Sequence, residues 1–141
     1  MSSSTTHTAD TYGTADDTAI RDVFRAAAHA WAAGDGAAFA ASYAPAATVV
    51  LPGTRLAGRA QIEAAMTAAF TGTLHGTRRV HEVRDVRAVT ADVALVHTAS
   101  ATLAPGQDES APEQRELVTW VLARHAGAWL IEAYHSSPAL L

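Results

Sequence analysis

Residues Glu116–Ser136, ELVTWVLARHAGAWLIEAYHS, decide the fold. β-branched and aromatic residues run to Arg124, HAG (His125–Gly127) interrupts them, and a second apolar run starts at Trp129. That pattern predicts strands over Glu116–Arg124 and Trp129–Ser136 joined by a tight hairpin turn. Side chains alternate across a strand. If Glu132 faces water, Trp129, Ile131, Ala133 and His135 face the interior, and Leu130 and Tyr134 face out or toward a partner. On the preceding strand Arg124 favours an outward set of Val118, Trp120 and Leu122, leaving Leu117, Thr119, Val121 and Ala123 inside.

Upstream, period-two patterning predicts strands near Arg79–Val89 and Val93–Leu103, with Ala104–Glu113 as a long connection and pocket rim. Further back, ATVVLPG (Ala47–Gly53) reads as a strand ending in a Pro-Gly turn. Helical spacing governs the rest. Ile20, Val23, Phe24, Ala27 and Trp31 form one apolar stripe. Gly34 stops that helix, and Asp35 caps a short second one through Phe39 and Tyr43 that Pro45 ends. A third helix starts near Gly58 and carries Ile62, Met66 and Phe70. The expected architecture is α+β: a cone-shaped, curved, mostly antiparallel sheet with three N-terminal helices closing one face. Residues 1–15 are expected to be a disordered tail, and residues 16–141 a single domain.

The chain has 141 residues, a net charge of -4 and no cysteine. Disulfides, thiolate catalysis and cysteine-based zinc sites are therefore excluded. Nucleic acid is not an expected partner, because phosphate binding needs a clustered basic surface. Basic residues gather only at Arg78 and Arg79, with Arg84 and Arg87 nearby, which reads as the solvated face of a strand. No apolar run reaches ~18 residues, so no membrane span is expected, and a cytoplasmic location is.

Several segments carry a family likeness: AHAWAAGDGAAFAASYA, ATVVLPG, GRAQI and RELVTWVLARHAGAWLIEAYHSSP. With them the chain resembles the nuclear transport factor 2-like superfamily, which includes ketosteroid isomerase and SnoaL-like polyketide cyclases. W-x-x-GD and the terminal W-x-I-x-A-x-H look most like its SgcJ/EcaC group. LPG, GTLHGT, TWVLAR and AYHSSP resemble members from enediyne polyketide clusters. The fold hosts many functions, so the pocket must decide. The resemblance implies a catalytic carboxylate just before the proline, where this chain has Leu51; an alkyl group cannot accept a proton. The isomerase's second carboxyl falls near Thr119, whose hydroxyl can donate one hydrogen bond.

The expected pocket is apolar with few polar points: Trp31, Phe39, Tyr43, Val49, Leu51, Met66, Phe70, Thr119, Trp129 and His135. His135 is the acid–base candidate, or else a core histidine. His97 sits on a strand with two apolar faces and is open to either orientation. Tyr43 can orient a ligand oxygen or, at i+4 from Phe39, simply pack. No metal is expected, since His75 and His81 stand alone, and no cofactor, since no glycine-rich phosphate loop is present.

Three functions compete. One is an accessory protein of enediyne-type polyketide biosynthesis that holds an apolar polyene or cyclised intermediate, handed over by a polyketide synthase or thioesterase. Another is a cyclase or isomerase using His135. The last is a non-catalytic adaptor with a filled cone. A homodimer is expected in each, because Val118, Trp120, Leu122, Leu130 and Tyr134 would otherwise expose an apolar patch.

Overall fold

A computed structural model describes residues 11–139. Helix α1 spans Thr14–Ala33 and buries Ile20, Phe24, Ala27 and Ala30, and Gly34 ends it at φ 67°. Most of the expected tail lies outside the described residues. Tyr12 and the start of α1 are within them, and Tyr12 packs edge-on against Trp129 at 5.3 Å. Helix α2, Gly36–Ala40, is capped by Asp35, whose carboxylate accepts from the Ala38 amide at 3.0 Å. Helix α3 spans Arg59–Thr71. It lies so close to α2 that a Cβ on Gly36 would meet Thr67 Oγ1 at 2.1 Å.

The strands are β1 (Tyr43–Leu51), β2 (Thr54–Ala57), β3 (Arg78–Thr90), β4 (Val93–Leu103), β5 (Arg115–His125) and β6 (Ala128–Pro138). They form one six-stranded sheet in the order β2-β1-β6-β5-β4-β3, antiparallel except for the β1–β6 pair. The expected α+β arrangement is the observed one, with a curved, unclosed sheet against three helices. The hairpin turn is made by Ala126 and Gly127, at φ 48° and 84°, the paired positive values of a two-residue hairpin.

Two local expectations fail at β1. Helix α2 stops at Ala40, and Tyr43–Pro45 already belong to the strand. Pro45 has no amide to give, and the β1–β6 pairing is irregular between Tyr43 and Thr48, where the proline sits. The Pro52-Gly53 turn, with Gly53 at φ 77°, leads into the short edge strand β2, which pairs Leu51 with Thr54.

One extra residue has the largest consequence. Leu122 pairs with Ile131 and Val121 with Ala133, so Glu132 is a β-bulge. Trp129 and Ile131 face inward as expected. Beyond Glu132 the parity flips: Tyr134 and Ser136 are buried and His135 is exposed. On β5 the buried set is Val118, Trp120 and Leu122, and Leu117 and Thr119 are exposed. Arg124 misled the parity because it lies at the strand's end, over the Trp129 ring at 4.7 Å, and reaches Asp16 and Asp92 at 3.0 Å. The apolar patch expected to need a partner is therefore mostly core.

Candidate functional site

A cavity of about 210 Å³ lies between the helices and the sheet. Its apolar wall comes from Trp31 on α1, Phe39 on α2, Val49 and Leu51 on β1, Leu56 on β2 and Met66 on α3. Leu51, Thr102 and Glu116 also border an outer groove beside Pro52 and Arg115, which marks the mouth. Leu51, where the resemblance would place a base, is part of the greasy lining.

The sheet side of this cavity is polar, contrary to the expected solvated strand face around Arg79. Arg79 on β3 is 6% exposed. Its guanidinium donates through Nη1 and Nη2 to both carboxylate oxygens of Glu116 at 3.0 Å, through Nη1 to Thr102 Oγ1 at 3.0 Å, and through Nη2 to the Tyr134 hydroxyl at 2.7 Å. It also lies 5.8 Å from the Trp31 ring. Burial, the largest single influence, works against its charge, but the hydrogen bonds and charges of Glu116 and Tyr134 together outweigh it and hold the pKa above the ordinary arginine value. This bidentate pair is the strong form of carboxylate recognition.

Beside it stands His81, which burial, and then the Arg79 charge, push down to about 3. The imidazole is neutral at physiological pH, and its tautomer follows from its neighbours. Trp120 Nε1 can only donate, and it does so to Thr98 Oγ1 at 3.0 Å. Thr98 and Ser100 hydroxyls are 2.7 Å apart, and Ser100 Oγ is 2.7 Å from His81 Nδ1. The Trp120, Thr98 and Ser100 hydrogens all find acceptors within this chain of groups only if Thr98 donates to Ser100 and Ser100 donates to Nδ1. The ring proton is then on Nε2.

Two phenols complete the wall. Tyr43 and Tyr134 are 2% and 7% exposed. Burial raises the pKa of both, though Arg79 pulls the other way.

Of the residues expected in the pocket, Trp31, Phe39, Tyr43, Val49, Leu51 and Met66 line it. Phe70 stands behind them, edge-on to Trp31 at 5.4 Å and Phe39 at 6.1 Å. Four candidates lie elsewhere. His135 and Thr119 are exposed on the outer sheet face, for the parity reasons given above. His97 pairs in register with Thr119 on that same outer face and meets Asp85 at 2.8 Å. Trp129 is buried outside the cavity, between Tyr12 and Arg124, and donates to Asp16 at 3.4 Å.

Arg79, His81, Glu116 and Tyr134 were not anticipated. The signal was present: Thr98, Ser100 and Thr102 alternate on β4, too polar for a purely apolar interior. Among the described residues, no three His, Cys, Asp or Glu side chains converge, and no helix is long and apolar enough to cross a membrane.

The fold agrees with known proteins. Residues 20–140 match the family described as SnoaL-like domain, and the chain belongs to it. A cystatin-like-fold domain of unknown function from Nostoc punctiforme is 34% identical, with a TM-score of 0.84 over 92% of this chain and 81% of that one. A nuclear transport factor 2-like protein of unknown function from Shewanella oneidensis is 17% identical, with a TM-score of 0.73 over 86% and 98%. Aln2 from a Streptomyces species is 18% identical, with a TM-score of 0.75 over 90% and 93%. The last two share the fold alone. No curated protein matches the chain in sequence.

Proposed function

We propose that this chain is a small-molecule carrier whose cavity holds an apolar ligand of one or two rings without transforming it. The observation that carries this reading is a largely apolar hollow in which neither the carboxylate nor the imidazole offers a free base. Glu116 is held by Arg79 through both oxygens. His81 accepts from Ser100 at Nδ1 and is neutral. A free general base needs an open lone pair within reach of the substrate, and neither group offers one. The cyclase or isomerase reading rested on His135, which lies outside the cavity. A filled cone does not fit a hollow of about 210 Å³.

Size narrows the ligand. An apolar cavity of about 150 Å³ takes up benzene. A hollow of about 210 Å³ therefore suits a cyclised fragment, and a long polyene would leave most of its length outside the mouth. The family likeness supports a place in polyketide biosynthesis, of the enediyne type within our reading, with a synthase or thioesterase supplying the intermediate. Trp31 and Trp120 line the cavity and report occupancy. Naphthalene is expected to quench their fluorescence saturably, and Leu51→Trp, which fills the mouth, to abolish the effect with the fold intact. A linear, non-saturating response in the wild type removes this reading.

The partner we propose is a second copy on the outer sheet face. Leu117 is 58% exposed near the start of β5, and four residues along the same strand Val121 pairs with Leu95, both half-buried. Sedimentation is expected to give about twice the 14.7 kDa chain mass, with Leu117→Asp shifting it toward monomer. A wild type that stays monomeric at high micromolar concentration refutes the dimer.

A further inference from the structure

We propose that the Tyr43 and Tyr134 hydroxyls, the second backed by Arg79, form a subsite for a neutral carbonyl oxygen, so that the ligand is a small cyclic ketone, quinone or lactone. This rests on the cavity being the ligand site and adds to it the chemical class of the ligand.

The first argument is a polar group that opens onto the cavity. Tyr43 is 2% exposed and lines the cavity, and since no fully buried polar atom among the described residues is left without a partner, its hydroxyl, which pairs with no described side chain, faces the hollow itself. Buried hydroxyls are normally paired, and this one belongs to a cavity wall. A ligand oxygen is the partner it lacks. The second argument is directional. Tyr134 accepts from Arg79 Nη2 at 2.7 Å. A hydroxyl that accepts from a guanidinium is polarised and becomes a better donor. The strand register brings the two phenols to one side. Tyr43 pairs with Ile131, and the bulge at Glu132 turns both Ile131 and Tyr134 inward on the neighbouring strand.

Charge then selects among oxygen acceptors. Arg79 and Glu116 cancel, and the rest of the lining is uncharged. A carboxylate entering here would meet Glu116 as a like charge and lose its water. A carbonyl brings two acceptor lone pairs and no charge, which two hydroxyl donors can satisfy together.

The test compares indane, 1-indanone and indane-1-carboxylate on the full chain, by tryptophan fluorescence and calorimetry. Indanone is expected to bind about tenfold more tightly than indane, the effect of one or two buried hydrogen bonds. Tyr43→Phe keeps the ring and is expected to weaken indanone about fivefold while leaving indane unchanged. The carbonyl stretch of bound indanone is expected at lower wavenumber than in water-free solvent, with part of that shift lost in Tyr43→Phe. Tyr134→Phe provides an independent second loss. Equal affinity for indane and indanone, tightest binding of the carboxylate, or an indifferent Tyr43→Phe overturns the subsite while leaving the cavity reading intact. Failure of all three probes to bind overturns both.

Discussion

Arg79→Met is expected to lower folding stability by about 3–5 kcal/mol, the usual cost of removing one partner from a buried ion pair. The guanidinium side chain is 5% exposed, and four of its hydrogen bonds go to Glu116, Thr102 and Tyr134. Methionine fills much of the space but leaves the Glu116 carboxylate facing an apolar cavity. Glu116 is 28% exposed at the mouth, so water reaches it in part and the loss belongs at the lower end of that range. The size of the effect lies in the uncompensated charge more than in the lost attraction. Arg79→Met combined with Glu116→Leu is therefore expected to recover at least half of the loss, since replacing a whole buried pair by apolar groups is often neutral. Urea unfolding of the four proteins of this cycle measures the coupling. A single variant within about 1 kcal/mol of the wild type, on the order of a surface pair, would show that the pair is solvated.

Why this pair was illegible in the sequence is a matter of distance. Arg79 and Glu116 lie 37 residues apart, and a lone charge on a strand gives no sign that its partner waits inside. The helices were easier, because the Ile20, Phe24 and Ala27 stripe depends on local periodicity alone. The four-residue β2 was not legible, but strands β1 and β3 to β6 were legible as strands for the same reason. Their faces were not. Counting by twos assumes an unbroken pleat, and Glu132, the residue used to anchor that count, is the one inserted. The count holds before it, at Trp129 and Ile131, and fails after it, exchanging Tyr134 for His135. Half of the candidate site, the apolar wall carried by helices and β1, survived because none of those residues depends on the β6 parity. The polar wall, where the cavity's chemistry resides, was lost.

The polar wall also sets a pH dependence whose sign is fixed. His81 is held neutral in the folded protein, pushed down to about 3 by burial and then by Arg79. In the unfolded chain it titrates near the ordinary value of about 6.5. Between those two values the unfolded state binds a proton that the folded state refuses, so stability falls as pH drops through that window. Stability attributable to His81 is complete above about pH 7 and diminishes by up to about 1.4 kcal/mol per pH unit below 6.5. From pH 7 to 5 the wild type is expected to lose about 2 kcal/mol from this residue. Asp16, which its hydrogen bond from Arg124 holds below the ordinary carboxylate range, adds its loss at lower pH and leaves this interval to be read first. His81→Gln keeps a side-chain acceptor for Ser100 and cannot take up the proton. Its stability profile is expected to be flatter than that of the wild type by the same about 2 kcal/mol between pH 7 and 5. Urea unfolding at each pH gives the two profiles, and their difference cancels every other titrating group. Parallel profiles would mean that water and protons reach the imidazole freely through the neighbouring groove that His81 also lines.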